Sequence, residues 1–176
     1  SQNGVMKMIS FEIRKEIAER SVCSMGRGIP WQQILSKKRL TIGFMGGSVT
    51  QGFIADHVQE QAYPSMLKEL LEAQGYEVEI AVCAEAGMNC MAGNLLADEK
   101  ILSCQPDIVF LEYAINETTL RPSVLSFESL VRKLLTQKTP PAVCFFMLRR
   151  LKFFLESIVN NKGGITNEKT LARSGN

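Results

Sequence analysis

The stretch Thr41-Ile42-Gly43-Phe44-Met45-Gly46-Gly47-Ser48-Val49-Thr50-Gln51-Gly52 decides the fold, because an apolar run stops on two glycines and delivers one serine. Ile42 to Met45 have the pattern of a strand covered on both faces, a short apolar run bounded by turn residues. The Gly-Gly-Ser ending predicts a tight turn, since glycine adopts backbone angles that other residues resist. Ser48 is thereby expected at the carboxyl edge of a sheet, where open α/β sheets bind ligands. Two phosphate and hydrolase motifs fail here. The nucleophile elbow needs Gly-x-Ser-x-Gly, but Thr50 stands at its last position. A P-loop fits Gly47 and Gly52 by spacing, yet Phe53-Ile54 replace its lysine and hydroxyl. A serine that merely caps a helix stays open as the simpler alternative.

Outward from this turn, the chain reads as alternating strands and helices. Val78, Ile80 and Val82 alternate in a strand over Glu77 to Cys83, which exits through Ala84-Glu85-Ala86-Gly87-Met88-Asn89. Asp107 to Tyr113 is a third strand, apolar enough to be central, leaving through Ala114-Ile115-Asn116-Glu117. Ala142 to Met147 is a fourth. Between them lie helices opened by Tyr63-Pro64, with a stripe of Met66, Leu67, Leu70 and Leu71 ending at Gly75, then over Gly93 to Ser103 and Ser123 to Gln137. A β-α-β-α-β-α-β series implies a parallel sheet of four to five strands with right-handed crossovers and helices on both faces. Ser48, Gly87 and Asn116 then fall at the same sheet edge.

Bulk properties narrow the function. The 176 residues suffice for one domain with a real core. Twenty Lys and Arg against eighteen Asp and Glu leave a net charge of +2, and no basic run with interleaved aromatics marks a nucleic-acid surface. No apolar stretch is long enough to cross a bilayer, and Ser1-Gln2-Asn3-Gly4 lacks the form of a signal peptide, so a cytoplasmic location is expected. Five cysteines, no Cys-x-x-Cys pair and a single histidine argue against a zinc site and for buried free thiols. No metal or cofactor is expected. Lys37-Lys38-Arg39 reads as a solvated basic loop before the first strand.

Ser, Gly and Asn at three neighbouring exits make chemical sense together, since acyl transfer needs a nucleophile and donors aimed at the oxyanion of its tetrahedral intermediate. With Gly46-Gly47-Ser48-Val49-Thr50, Gly87 after Ala84-Glu85-Ala86, and Pro106-Asp107-Ile108-Val109 leading to Asn116-Glu117, the chain resembles the SGNH (GDSL-like) hydrolase family over residues 40 to 147. The resemblance implies a flavodoxin-like three-layer α/β/α sandwich. It further implies that Ser48 is the nucleophile, with Gly87 and Asn116 as oxyanion-hole donors.

Two departures stand out. Ala114 replaces the glycine usual in the third block. The Asp-x-x-His block near the C-terminus, which supplies the family's base, is absent: the last Asp is Asp107 and the only His is His57. His57 is the one candidate base, close to Ser48 in sequence, and an ordinary exposed loop histidine is the plainer reading. Leu148, Leu151, Leu155 and Ile158 have helical spacing, whereas 161–176 reads as a disordered tail, so a truncated or frame-shifted final segment is expected. The domain organisation expected is an N-terminal helix and linker over 1–36, packed on an incomplete hydrolase-like domain over 37–160, and then the tail.

The function that follows is a serine ester hydrolase acting on small acyl esters, with acetylated carbohydrate as a candidate substrate by the resemblance, and weak or inactive for want of a base. The alternative is a non-catalytic remnant that binds a sugar or acyl ligand on the same scaffold. A nucleotide or flavin binder is disfavoured because the first turn lacks a phosphate-cradling pattern. A missing last strand would leave a sheet edge unpaired, a route to self-association.

Overall fold

Leu40, Ile42, Phe44 and Met45 are each fully buried, and the strand that carries them lies inside a parallel sheet. The computed structural model describes residues 31–52, 62–114, 116 and 121–146, together with Glu12, Lys15, Glu16 and Glu19. The chain divides into two compact units, 1–31 and 32–176. In the first, the four described residues before Trp31 are helical and exposed, and Lys15 pairs with Glu19 one turn on at 3.9 Å. The helix α1 (Trp31–Leu35) starts on the last residue of the first unit and continues into the second, which contains β1 (Arg39–Gly46), α2 (Ser48–Gln51), α3 (Tyr63–Glu72), β2 (Glu77–Ala84), α4 (Cys90–Lys100), β3 (Ile108–Glu112), α5 (Arg121–Leu135) and β4 (Ala142–Phe145). The helix expected over Leu148 to Asn160, Met147 and the 161–176 tail lie outside the described residues.

The four strands are parallel, in the order β2-β1-β3-β4. This is the expected α/β architecture, a parallel sheet flanked by helices. Because β2 lies on one side of β1 and β3 on the other, the chain reverses its direction of travel at β1. A crevice between loops forms at such a switch point, beyond the carboxyl ends of the strands. Register makes those ends level: Gly46 is opposite Ala84 on one side and Glu112 on the other.

Helices cover the two faces separately. Met45, Ala81, Cys83, Val109 and Leu111 pack with Cys90, Ala97 and Ile101 of the α4 side and Leu130 and Leu134 of α5. Opposite, Phe44 stacks on its cross-strand partner Phe110 at 5.3 Å and meets Tyr63 of α3 edge-on at 5.5 Å. Aromatic pairs of this geometry contribute about 0.5–1.5 kcal/mol each beyond area burial. Lys133 of α5 bonds the Asn94 carbonyl and the Asp98 carboxylate of α4, at 2.9 and 2.8 Å. Asn89 caps α4 by accepting from the Ala92 N–H.

Several local expectations shift. The helix expected from Gly93 starts at Cys90, because Asn89 caps it, and ends at Lys100 before a short turn of 3₁₀ helix. Of the apolar stripe on α3, Met66 and Leu70 are exposed, 53% and 64%, and Pro64 is the buried residue. In β2, Val78 is buried on one face and Ala81 and Cys83 on the other, leaving Val82 44% exposed. The basic cluster is also paired rather than simply solvated. Lys37 contacts Asp107, whose other oxygen accepts from the Thr41 N–H at 2.9 Å, and Arg39 contacts Glu79.

Candidate active site

The serine turn is shaped by side chains packed against bare backbone. Gly46 and Gly47 are not in the left-handed region, so the backbone freedom expected of them is not what the turn uses. A Cβ on Gly46 would lie 2.1 Å from Thr50 Oγ1 and 2.8 Å from the Glu112 carbonyl oxygen. On Gly47 it would lie 2.1 Å from Asn116 Nδ2. Real Cβ contacts are never this close, so both glycines are fixed by space. Ser48 follows as the first residue of α2, a single turn of helix closed by Gly52.

Gly87 behaves differently. It sits in the loop between β2 and α4 with φ of 80° and nothing within 4 Å of the place a Cβ would take. Here conformation requires the glycine. The loop is tied to the serine turn by Gln51, whose Oε1 accepts from the Ala86 N–H at 2.8 Å. Asn116 reaches the same place from the turn after β3, where its N–H bonds the Tyr113 carbonyl at 3.0 Å. Its side-chain Nδ2 donates to the Met88 carbonyl at 2.9 Å, which orients the amide between Met88 and Gly47. The exits carrying Ser48, Gly87 and Asn116 are thus gathered at one end of the sheet, at the switch point. His57 lies outside the described residues.

Beneath the turn is a group that the sequence reading passed over. The Glu112 side chain is 1% exposed and accepts from the Gly47 N–H at 3.3 Å and from the Thr50 hydroxyl at 3.1 Å. Thr50 Oγ1 also bonds the Tyr63 hydroxyl at 3.2 Å. Burial pushes the Tyr63 hydroxyl up to about 12, the bond to Thr50 pulls against it, and the Glu112 carboxylate adds to the rise. The signal was present: a charge at the end of the apolar run Ile108-Val109-Phe110-Leu111 is out of pattern unless it is bonded. Among the described residues, no group of three His, Cys, Asp or Glu is arranged to hold a metal ion. None of their helices is long and apolar enough to cross a membrane.

Solved structures share this arrangement of strands and helices. An esterase of the SGNH-hydrolase family, AlinE4, superposes with a TM-score of 0.51 at 20% identity, over 68% of this chain and 60% of its own. The chain has the SGNH-hydrolase fold. A two-domain esterase active on acetylated mannans matches at a TM-score of 0.62 and 27% identity, over 66% of this chain and 33% of that one. An acetyl xylan esterase matches at 0.51 and 23%, over 60% and 57%. The chain therefore spans between a third and three fifths of the length of these three esterases. No protein-family profile and no curated protein sequence matches it.

Proposed function

We propose that this chain carries the nucleophile and oxyanion-binding half of a serine ester hydrolase for small acyl esters. The observation that supports this most is the convergence at Gly47, where the backbone before Ser48 abuts the Asn116 amide while Gln51 holds the Gly87 loop alongside. Ser48 Oγ would attack the ester carbonyl, forming a C–O bond and an oxyanion. The Ser48 N–H, the Gly87 N–H and the Asn116 amide would donate to that oxyanion. Collapse expels the alcohol, and water then releases the acid from the acyl-serine. Neither the Ser48 nor the Gly87 N–H has a hydrogen-bond acceptor among the described residues, as donors awaiting an oxyanion require.

Acetylated carbohydrate is the substrate class proposed, since one esterase of similar fold is active on acetylated mannans and another is named an acetyl xylan esterase. Attack requires a proton acceptor for Ser48 Oγ, and His57 is the one imidazole in these 176 residues. In a serine hydrolase, loss of the triad histidine lowers kcat by about 10⁶. A slow rate is therefore expected of this chain alone.

The test is p-nitrophenyl acetate hydrolysis by the chain, its Ser48→Ala variant and its His57→Ala variant. Turnover that vanishes with Ser48 supports the hydrolase, and turnover that also falls with His57 identifies the base. Equal rates for parent and Ser48→Ala would overturn catalysis by Ser48 in this chain and leave a ligand-binding scaffold as the reading.

A further inference from the structure

We infer that Glu112 is the positioning residue of the serine turn, a buried carboxylate that clamps the chain on both sides of Ser48. Its Oε2 holds the Gly47 N–H, one residue before the serine, and the Thr50 hydroxyl, two residues after it. Ser48 lies between the two anchors.

Placement follows from the strand. Phe110 and Glu112 point to the same face of β3, and Phe110 stacks on Phe44. Glu112 extends that line past the end of β1, because its register partner is Gly46, the last residue of the strand. Gly46 has no side chain to keep Thr50 away, so Thr50 Oγ1 occupies the space a Cβ would fill and comes within reach of the carboxylate. The Tyr63 hydroxyl closes the outer side of Thr50 at 3.2 Å.

Packing alone would be met better by an apolar residue. A buried carboxylate loses its hydration and regains it only through the bonds it makes. Both bonds to a described residue go to the serine turn, so what Glu112 contributes locally is the geometry of residues 47–50. If Ser48 is the reacting group, as proposed above, Glu112 sets where its hydroxyl stands.

Amide hydrogen exchange on the full chain tests this without any substrate, so an absence of esterase activity leaves the result intact. In Glu112→Leu, exchange is expected to rise about tenfold or more at Gly47, whose N–H loses its acceptor, and at Gln51 and Gly52, whose N–H groups bond the Gly47 and Ser48 carbonyls, the change a lost bond to a charged group produces. Ile42 to Met45 of β1 should keep their parent rates. Glu112→Gln retains one acceptor and should restore most of the protection, which packing by Leu cannot. Should Glu112→Leu fail to fold, Thr50→Val removes one anchor with little change of shape, and exchange at the turn should still rise selectively. Uniform loss of protection across β1 and the turn in Glu112→Gln and Thr50→Val would overturn the inference. So would turn amides unchanged in both.

Discussion

The amide nitrogen of Asn116 stands where a side chain on Gly47 would begin, 2.1 Å from the position of a Cβ there. The residue before the nucleophile candidate and the side chain proposed to bind the oxyanion therefore compete for one space. Gly47→Ala should drive the Asn116 amide off its bond to the Met88 carbonyl. The expected outcome is a fall of about 10²-fold in Ser48-dependent hydrolysis, the scale of losing one oxyanion donor. The Asn116 side-chain resonances in an ¹H–¹⁵N spectrum should move as well. Unchanged resonances would show that the turn accommodates the methyl group.

Gln51 links α2 to the Gly87 loop by one bond from the Ala86 N–H. Gln51→Ala should cost about 0.5–1.5 kcal/mol, the net value of an ordinary hydrogen bond. Exchange at Ala86 should rise while the β2 amides hold. Chemical denaturation together with site-resolved exchange separates the small global loss from the local one.

The sheet was legible in the sequence because apolar runs and turn residues alternate at βα spacing, and Ser48, Gly87 and Asn116 were legible because each sits at the exit of such a run. What holds them in place was not. Gly47 is glycine because Asn116, sixty-nine residues on, needs its space, and no local pattern encodes a collision across the fold. The exposure of Val82 has the same origin, since alternation cannot tell which end of an edge strand a helix covers. Glu112 was passed over inside an apolar strand, and its partners Gly47 and Thr50 emerge only when the register sets it beside Gly46.

Gly93 on α4 meets the ring of Tyr113, and a Cβ there would lie 1.9 Å from the Tyr113 hydroxyl oxygen and 2.7 Å from Cζ. Alanine favours helix over glycine by about 1 kcal/mol, so an exposed Gly→Ala change would stabilise. At this buried contact, overpacking should win and Gly93→Ala should destabilise by about 1–3 kcal/mol. In a Tyr113→Phe background the penalty should shrink without vanishing, because the Cζ contact remains. A double-mutant cycle by urea denaturation gives the coupling, and strictly additive effects would refute the contact.

Tyr63 supplies a prediction against pH. Its hydroxyl is raised from 10.0 to about 12, first by burial against Phe44 and Phe146, then by the Glu112 carboxylate. A raised acid binds its proton more tightly in the folded state. Between pH 10 and 12 the unfolded chain therefore holds fewer protons than the folded one, and stability falls as pH rises through that window. Below pH 10 both states keep the proton and the full contribution is present. Tyr63→Phe should remove this slope while leaving the other ionisations in place. Difference absorption at 295 nm between parent and variant reads the titration itself, and a midpoint at 10 would mean that Tyr63 is solvated and that the Glu112–Thr50–Tyr63 chain is open to water.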